Sequence, residues 1–364
     1  MARTSKNKSA AKGSARKAAS SSTKGSRSKL DRRRLESILG RFADVELLVV
    51  GDVLLDEYLI GDVDRISPEA PVPVVHIRSE SAALGGAGNV VRNVAALGGR
   101  CRLCSVIGDD ADGDTVLGLL RELDVSCDGV LRVADRPTSR KSRVVAQSQQ
   151  IVRVDRETHE PVSAAIARTL LAAVSAAAET ADGAILEDYG KGLFTRSTIR
   201  KVMTQLGAAK IPTAVDPKGE LAPFKGASLL KPNLREAELL TGIPAATPRD
   251  VEKIAARLRS RIGGGSLAIT RGGEGIHLFE ARGPAAGVLV PTPRREVFDV
   301  QGAGDTTIAA LVLALRAGAS LREAAVIANA AAGTVVGKVG TATATRAEVR
   351  SQLSDAIAAA GELS

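Results

Sequence analysis

From residue 45 onward, short aliphatic runs alternate with longer stretches of helical period. The runs 45–52, 102–108, 183–188, 211–217, 227–233, 266–270 and 275–280 predict strands. Between them, 87–98, 112–123, 161–181, 196–207, 234–241, 249–261, 303–317, 321–335 and 346–360 predict helices. Strands that are apolar throughout must be covered on both faces, which calls for helices on either side of a mostly parallel sheet. The expected fold class is α/β, a three-layer α/β/α domain over 35–364. Residues 56–78, with three prolines, and 138–156 break the rhythm as extended Val/Ile-rich segments. They predict a small β-sheet lid over the edge of the main sheet.

A chain of 364 residues, 44% hydrophobic, can bury a large core, and with no Trp and only 2% aromatics that core is aliphatic. No run approaches the roughly 20 apolar residues of a membrane span, and no apolar segment follows the basic N-terminus as in a secretory signal. The formal charge of +9 is local: residues 1–34 carry twelve Lys or Arg against Asp31 alone, leaving the remainder at about −2. That tail, rich in Ser, Ala, Lys and Gly, has too little apolar surface to fold and is expected to be disordered. A polyanion-binding arm and a transit-like leader are its alternative readings. Cys101 and Cys104 sit three apart on an expected strand and so face opposite ways, while Cys127, His76, His159 and His277 are scattered. No disulfide framework or zinc site is expected, and reduced thiols point to the cytoplasm.

Familiar phosphate-binding motifs are absent. No GxxxxGK[ST] occurs, and "GAGNVV" (86–91) and "GAGDTT" (302–307) both end without the last glycine of GxGxxG. What remains is "VFDVQGAGDTTIAALVLAL" (297–315), a glycine turn opening an apolar helix with a carboxylate at its mouth. Gly302, Ala303 and Gly304 would expose consecutive amides at the positive end of that helix, an anion hole. A carboxylate there repels phosphate, so Asp305 makes sense as a general base that takes the proton of an attacking hydroxyl. Helix capping is the alternative.

The order of motifs resembles the ribokinase-like (PfkB) sugar kinase superfamily over roughly 45–350. "GGAGNVVRNVAALGG" (85–99) is similar to its first signature, "DVQGAGDTTIAALVLAL" (299–315) to its second, "KPNLREAE" to its NxxE motif and "TRGGEGI" (270–276) to its nucleotide loop. Gln301 departs from the Thr often found there, and is expected to be tolerated because its backbone matters most. "GDVLLDEYLIGDVDRISPEAPVPVV" and "DYGKG" further resemble the kinase portion of heptose-phosphate kinases of lipopolysaccharide-core biosynthesis. That resemblance implies ATP-dependent phosphorylation of the 1-hydroxyl of D-glycero-β-D-manno-heptose 7-phosphate. No HxGH follows, so the nucleotidyltransferase fused to some of these kinases is expected in a separate protein.

The resemblance implies that Asp52, Gly86 and Asn89 bind sugar hydroxyls, with Asn93 one turn on. It implies that Thr270, Gly272, Gly273 and Gly275 lie over the ATP phosphates, that Asn233 and Glu236 organise Mg2+ through water, and that Asn329 lies by the adenine. Lys231 is a candidate for phosphate contact or for a local ion pair. A second phosphate on the sugar needs cations, and Arg140, Lys141, Arg143, Arg153 and Lys191 are the candidates, with Asp188 on the substrate. Strand-edge solvation is their plainer reading. A monovalent cation such as K+ and a homodimer paired through the lid are further expectations. Rival readings are a PfkB-type kinase for another sugar, sugar phosphate or nucleoside, and a nucleic-acid-binding protein acting through its tail.

Overall fold

The computed structural model describes residues 30–361 apart from 148, 295 and 339. Nine strands form the main sheet, and their sequence explains their place. β1 (Glu46–Gly51) and β8 (Gly183–Glu187) are buried almost end to end, as their unbroken apolar runs require. They are parallel neighbours. Beyond β1 lie β4 (Arg100–Gly108) and β5 (Val130–Val133). Beyond β8 lie β9 (Thr213–Asp216), β10 (Leu229–Leu230), β11 (Ser266–Thr270) and the antiparallel pair β12 (Ile276–Phe279) and β13 (Val288–Val290). The chain therefore winds outward one way from β1 and the other way from β8. The crevice at their carboxyl ends is the switch point where open α/β sheets bind ligands.

Helices α4 (Ala164–Ala178), α5 (Arg196–Ala208), α6 (Leu234–Thr241) and α7 (Pro248–Ile262) build one outer layer. The other holds α2 (Ala87–Ala96), α8 (Ala303–Arg316) and α9 (Leu321–Val335), backed by α10 (Arg346–Gly361) and by α1 (Arg32–Gly40). α3 (Ala111–Glu122) contacts β4 and the base of the lid. This is the expected three-layer α/β/α arrangement.

The lid is a four-stranded sheet in the order β3-β2-β6-β7. β2 (Val53–Ile66) starts two residues after β1 ends, and β3 (Pro73–Gly86) runs straight into α2, so the lid grows directly out of the carboxyl edge. β6 (Arg140–Ala146) pairs with β2 and β7 (Gln149–Arg156) with β6. The hairpin is longer at both ends than the 56–78 expectation.

Three further differences have physical causes. The basic tail was expected to reach residue 34, yet α1 begins at Arg32. Leu35, Ile38 and Leu39 recur at helical spacing and are fully buried, and Asp31 caps by accepting from the Arg33 amide. Arg34 pairs with Glu323 at 2.6 Å. Residues 1–29 of that expected tail lie outside the described residues. The 227–233 strand shrinks to two residues because Pro232 has no N–H to donate and Asn233 already caps α6. β5 and β13 are short edge strands that the sequence reading left out. Cys101 and Cys104, on β4, are free, and burial pushes both thiols up to about 12.

Candidate active site

Gly302 is the N-cap residue just before α8, and its φ of 72° is the left-handed conformation glycine favours. A Cβ there would also stand 2.6 Å from the Asn89 amide nitrogen. No side chain caps this helix. The Ala303 amide, expected in the anion hole, donates instead to the Val300 carbonyl at 3.3 Å. Asp305 is the third helical residue and not its cap, which removes the capping alternative. Its carboxylate is buried, with Oδ2 accepting from Asn89 Nδ2 at 2.7 Å and Oδ1 from the Tyr189 hydroxyl at 3.0 Å. Burial raises its pKa above the ordinary carboxylate value, while these two donors and Lys231 pull it back.

Around this carboxylate, several expected sugar ligands turn out to be spoken for. Asn89 faces Asp305. Asn93 is a correction: it donates to the Asn89 carbonyl at 2.9 Å and accepts from the Thr306 hydroxyl at 2.8 Å, fully buried, and so pins α2 to α8. Gly86 starts α2 at φ 58°, where a Cβ would strike the Asp52 carbonyl. Asp52 is buried after β1, and its Oδ2 accepts from the amides of Tyr189 (3.1 Å) and Lys191 (3.0 Å). It therefore shapes the DYGKG loop, with burial raising its pKa. Asp188 does likewise, accepting from the Gly190 amide at 2.8 Å, and burial lifts its pKa to about 6.

The lid cations divide by strand face, since neighbouring side chains point opposite ways. Arg140 is a correction: it sits with Glu57 and with Asp112 of α3 (3.1 Å), on the face away from Arg143. Arg143 is buried against Asp56 at 2.6 Å and lies over the Tyr58 ring, 5.3 Å from its centroid. Lys141 and Lys191 both grip Glu157, at 3.1 and 2.6 Å. Arg153 pairs with Asp155 at 2.8 Å on the exposed β7, the solvated reading.

Several participants, Glu157 and Glu187 among them, were not expected from the sequence. Asp56 and Tyr58 share one face of β2, and Asp56 continues the buried run 53–55, so a carboxylate directly after three buried aliphatics could have signalled the pair. Tyr189 follows β8 and Asp216 ends β9 at the carboxyl edge, where position alone was a cue. Gln301 also does more than expected, because its Oε1 accepts from the Tyr58 hydroxyl at 3.0 Å and so ties the glycine turn to the lid.

On the other side of Asp305 a cavity of about 670 Å³ opens. All eight residues expected around the nucleotide line it: Lys231, Asn233, Glu236, Thr270, Gly272, Gly273, Gly275 and Asn329. Gly275, at φ 103°, lets the loop pass the Val290 carbonyl. Asn329 spends its amide nitrogen on the Val290 and Pro291 carbonyls, at 2.9 and 3.0 Å, bracing the cavity rim. Asn233 and Glu236 form a reciprocal capping box on α6. Lys231 is buried against Asp216. Burial opposes its charge, yet Asp216 and Glu187 lift its pKa to about 12. Burial pushes Asp216 up to about 6 and Glu187 well above its usual range. Glu187 Oε2 is buried without a hydrogen-bond partner. Acidic charge in excess of Lys231 suits a divalent cation. Among the described residues no group of three or more His, Cys, Asp or Glu side chains is placed to hold a metal ion.

The profile of the pfkB family carbohydrate kinases matches residues 45–348. The chain is 44% identical over 321 residues to the Bifunctional protein HldE of Pelobacter propionicus, and 40% identical over 321 residues to that of Geobacter sulfurreducens. Each alignment covers 88% of this chain and 65% of the relative, so the chain spans about two thirds of the length of those proteins. Arabidopsis thaliana ribokinase, solved with ribose and ATP, superposes with a TM-score of 0.67 at 23% identity, covering 85% of this chain and 98% of that one. Escherichia coli phosphofructokinase-2, solved with potassium, gives 0.69 at 22%, covering 85% and 99%. A glycine turn with a buried carboxylate at a switch point, the signatures in order and these likenesses agree: the chain belongs to the pfkB family of carbohydrate kinases.

Proposed function

We propose that this kinase transfers the γ-phosphoryl group of ATP to the 1-hydroxyl of D-glycero-β-D-manno-heptose 7-phosphate. The observation that carries the reading is the seat of Asp305, at the inner end of the nucleotide cavity, beside the uncapped amides of α8 and facing the lid. The sugar is proposed from the resemblance of residues 51–75 and the DYGKG segment to heptose-phosphate kinases, in keeping with the likeness to the HldE proteins.

The chemistry follows from the residues. Asp305 takes the proton of the attacking hydroxyl, and the amides of Gly302 and Gly304 stabilise the charge that builds on the transferred group. Lys231 adds a buried positive charge next to Gly304, a Cβ on which would lie 3.3 Å from its Nζ. Asn233, Glu236 and Asp216 would hold Mg2+ through water, and the ion would supply charge neutralisation on the phosphates. Gly272, Gly273 and Gly275 lie over the phosphates. Lys141, Lys191 and Arg143 receive the 7-phosphate by exchanging their internal carboxylate partners for it. The lid excludes water, the competing nucleophile.

Three lesser elements belong to the same reading. K+ binding is proposed by analogy with phosphofructokinase-2, which was solved in complex with potassium. A homodimer would cover Ile60, Ile66, Val72, Ile77 and Val154, exposed apolar residues of the lid region. A cytoplasmic setting agrees with three free cysteines, and among the described residues no helix is long and apolar enough to cross a membrane. Phosphorylation of heptose 7-phosphate assayed beside fructose 6-phosphate and ribose tests the proposal. Turnover confined to the heptose phosphate is expected, and equal turnover of either competitor overturns the substrate while leaving the kinase.

A further inference from the structure

Asp305 is held from two sides by neutral donors, one on each carboxylate oxygen: Asn89 on Oδ2 and the Tyr189 hydroxyl on Oδ1. Neutral donors fix the plane of a carboxylate without cancelling the charge a base needs, as a bound Arg would. Tyr189 suits this office because burial, with Asp305 and Glu187 beside it, drives its own pKa well above 10, so its hydroxyl stays a donor. Its position is fixed from the backbone. The Tyr189 and Lys191 amides share Asp52 Oδ2, the Gly190 amide reaches Asp188 Oδ1, and Gly190 and Gly192 take left-handed φ values of 67° and 85°. One short loop thus carries both the partner of the base and Lys191, the cation bound to Glu157 at 2.6 Å.

We propose that Tyr189 is a positioning residue, whose hydroxyl aligns Asp305 for proton removal and whose loop keeps that alignment in register with the acceptor site. The proposal rests on the reading of Asp305 as the base. It also gives Asp52 a task, which is to hold the loop. Lys231, Asp56, Glu187 and Asp216 are the other charged groups acting on Asp305. All of them stay in place when one hydroxyl is removed.

The test is Tyr189→Phe, measured for kcat, both KM values and the pH profile beside Asp305→Asn, with melting temperature as the check on folding. A hydrogen bond to a charged group is worth enough that kcat should fall roughly 10- to 100-fold. Each KM should stay within about threefold, because ground-state binding is untouched. The acid limb of the kcat profile should move to higher pH, since a donor that favours the charged form is gone. An unchanged kcat and pH profile in Tyr189→Phe, with Asp305→Asn inactive, overturns the role of Tyr189 alone. A lower KM for the sugar with kcat maintained or raised also overturns it, because the hydroxyl would then occupy the acceptor's place. Full turnover by Asp305→Asn overturns the base and this proposal together.

Discussion

The proposed nucleotide half of the cleft is an open cavity lined by glycine backbone, a helix start and side chains braced by their protein neighbours, whereas in the proposed acceptor half the cations are closed onto carboxylates. Gly302, Gly304, Gly272 and Gly275 border a cavity of about 670 Å³. Across Asp305, Arg143 is bound to Asp56, and Lys141 and Lys191 to Glu157. One half is preorganised for its ligand, and the other must exchange ion pairs to admit one. Each exchange leaves a largely buried carboxylate without its cation, so only an anion that holds the freed cations more strongly than those carboxylates do can open the site, which rewards an anionic sugar.

The largest expected effect falls on the preorganised half. Gly302→Ala forces a Cβ into a left-handed position against Asn89, and turnover should drop by roughly 10²- to 10³-fold as the amide cradle shifts. Near-normal steady-state rates would show that the cradle tolerates distortion and that the halves differ less than described. Next comes the exchange of partners: Lys191→Met should raise KM for the phosphorylated sugar by roughly 10- to 100-fold and leave KM for ATP within about twofold. An equal rise in both would mean that the loop serves the nucleotide as well.

Glu187 gives a smaller, pH-dependent signature. Its folded pKa is raised above the unfolded value, so its burial is harmless below the unfolded pKa and increasingly unfavourable as pH rises through the folded one. Glu187→Gln should therefore raise the melting temperature by about 2–4 °C at pH 8 and by less at pH 5, as differential scanning calorimetry would record. A gain that is the same at both values would count against an ionising Glu187. The smallest effect is expected at Arg140, on the far face of the lid. Arg140→Ala should alter the sugar KM by less than about threefold, and a tenfold rise would put that face back in the site.

The same contrast explains what could be read from the chain. Nearly every main strand and helix followed from periodicity, and the donor side was legible because glycine turns and helix starts act through backbone within one contiguous segment. All eight nucleotide-side residues reach the cavity for that reason. The acceptor side depends on which face of a lid strand each residue takes and on partners far away in sequence. Arg140 and Arg143 are three apart and diverge, and Asn93 looks like a ligand until Thr306 is seen to bind it. Tyr189 reaches Asp305 across 116 residues, a pairing no local pattern encodes. α1 was hidden by the basic residues around its three buried aliphatics.

The most direct test of the account is ADP release with heptose 7-phosphate and Mg2+, compared between the wild type and Asp305→Asn. Asparagine keeps the shape of the side chain and cannot take a proton, so a fall of roughly 10²- to 10⁴-fold in kcat with KM for ATP nearly unchanged is the predicted result. A variant that turns over within about threefold of the wild type would contradict the assignment of Asp305 as the base around which both halves of the cleft are arranged.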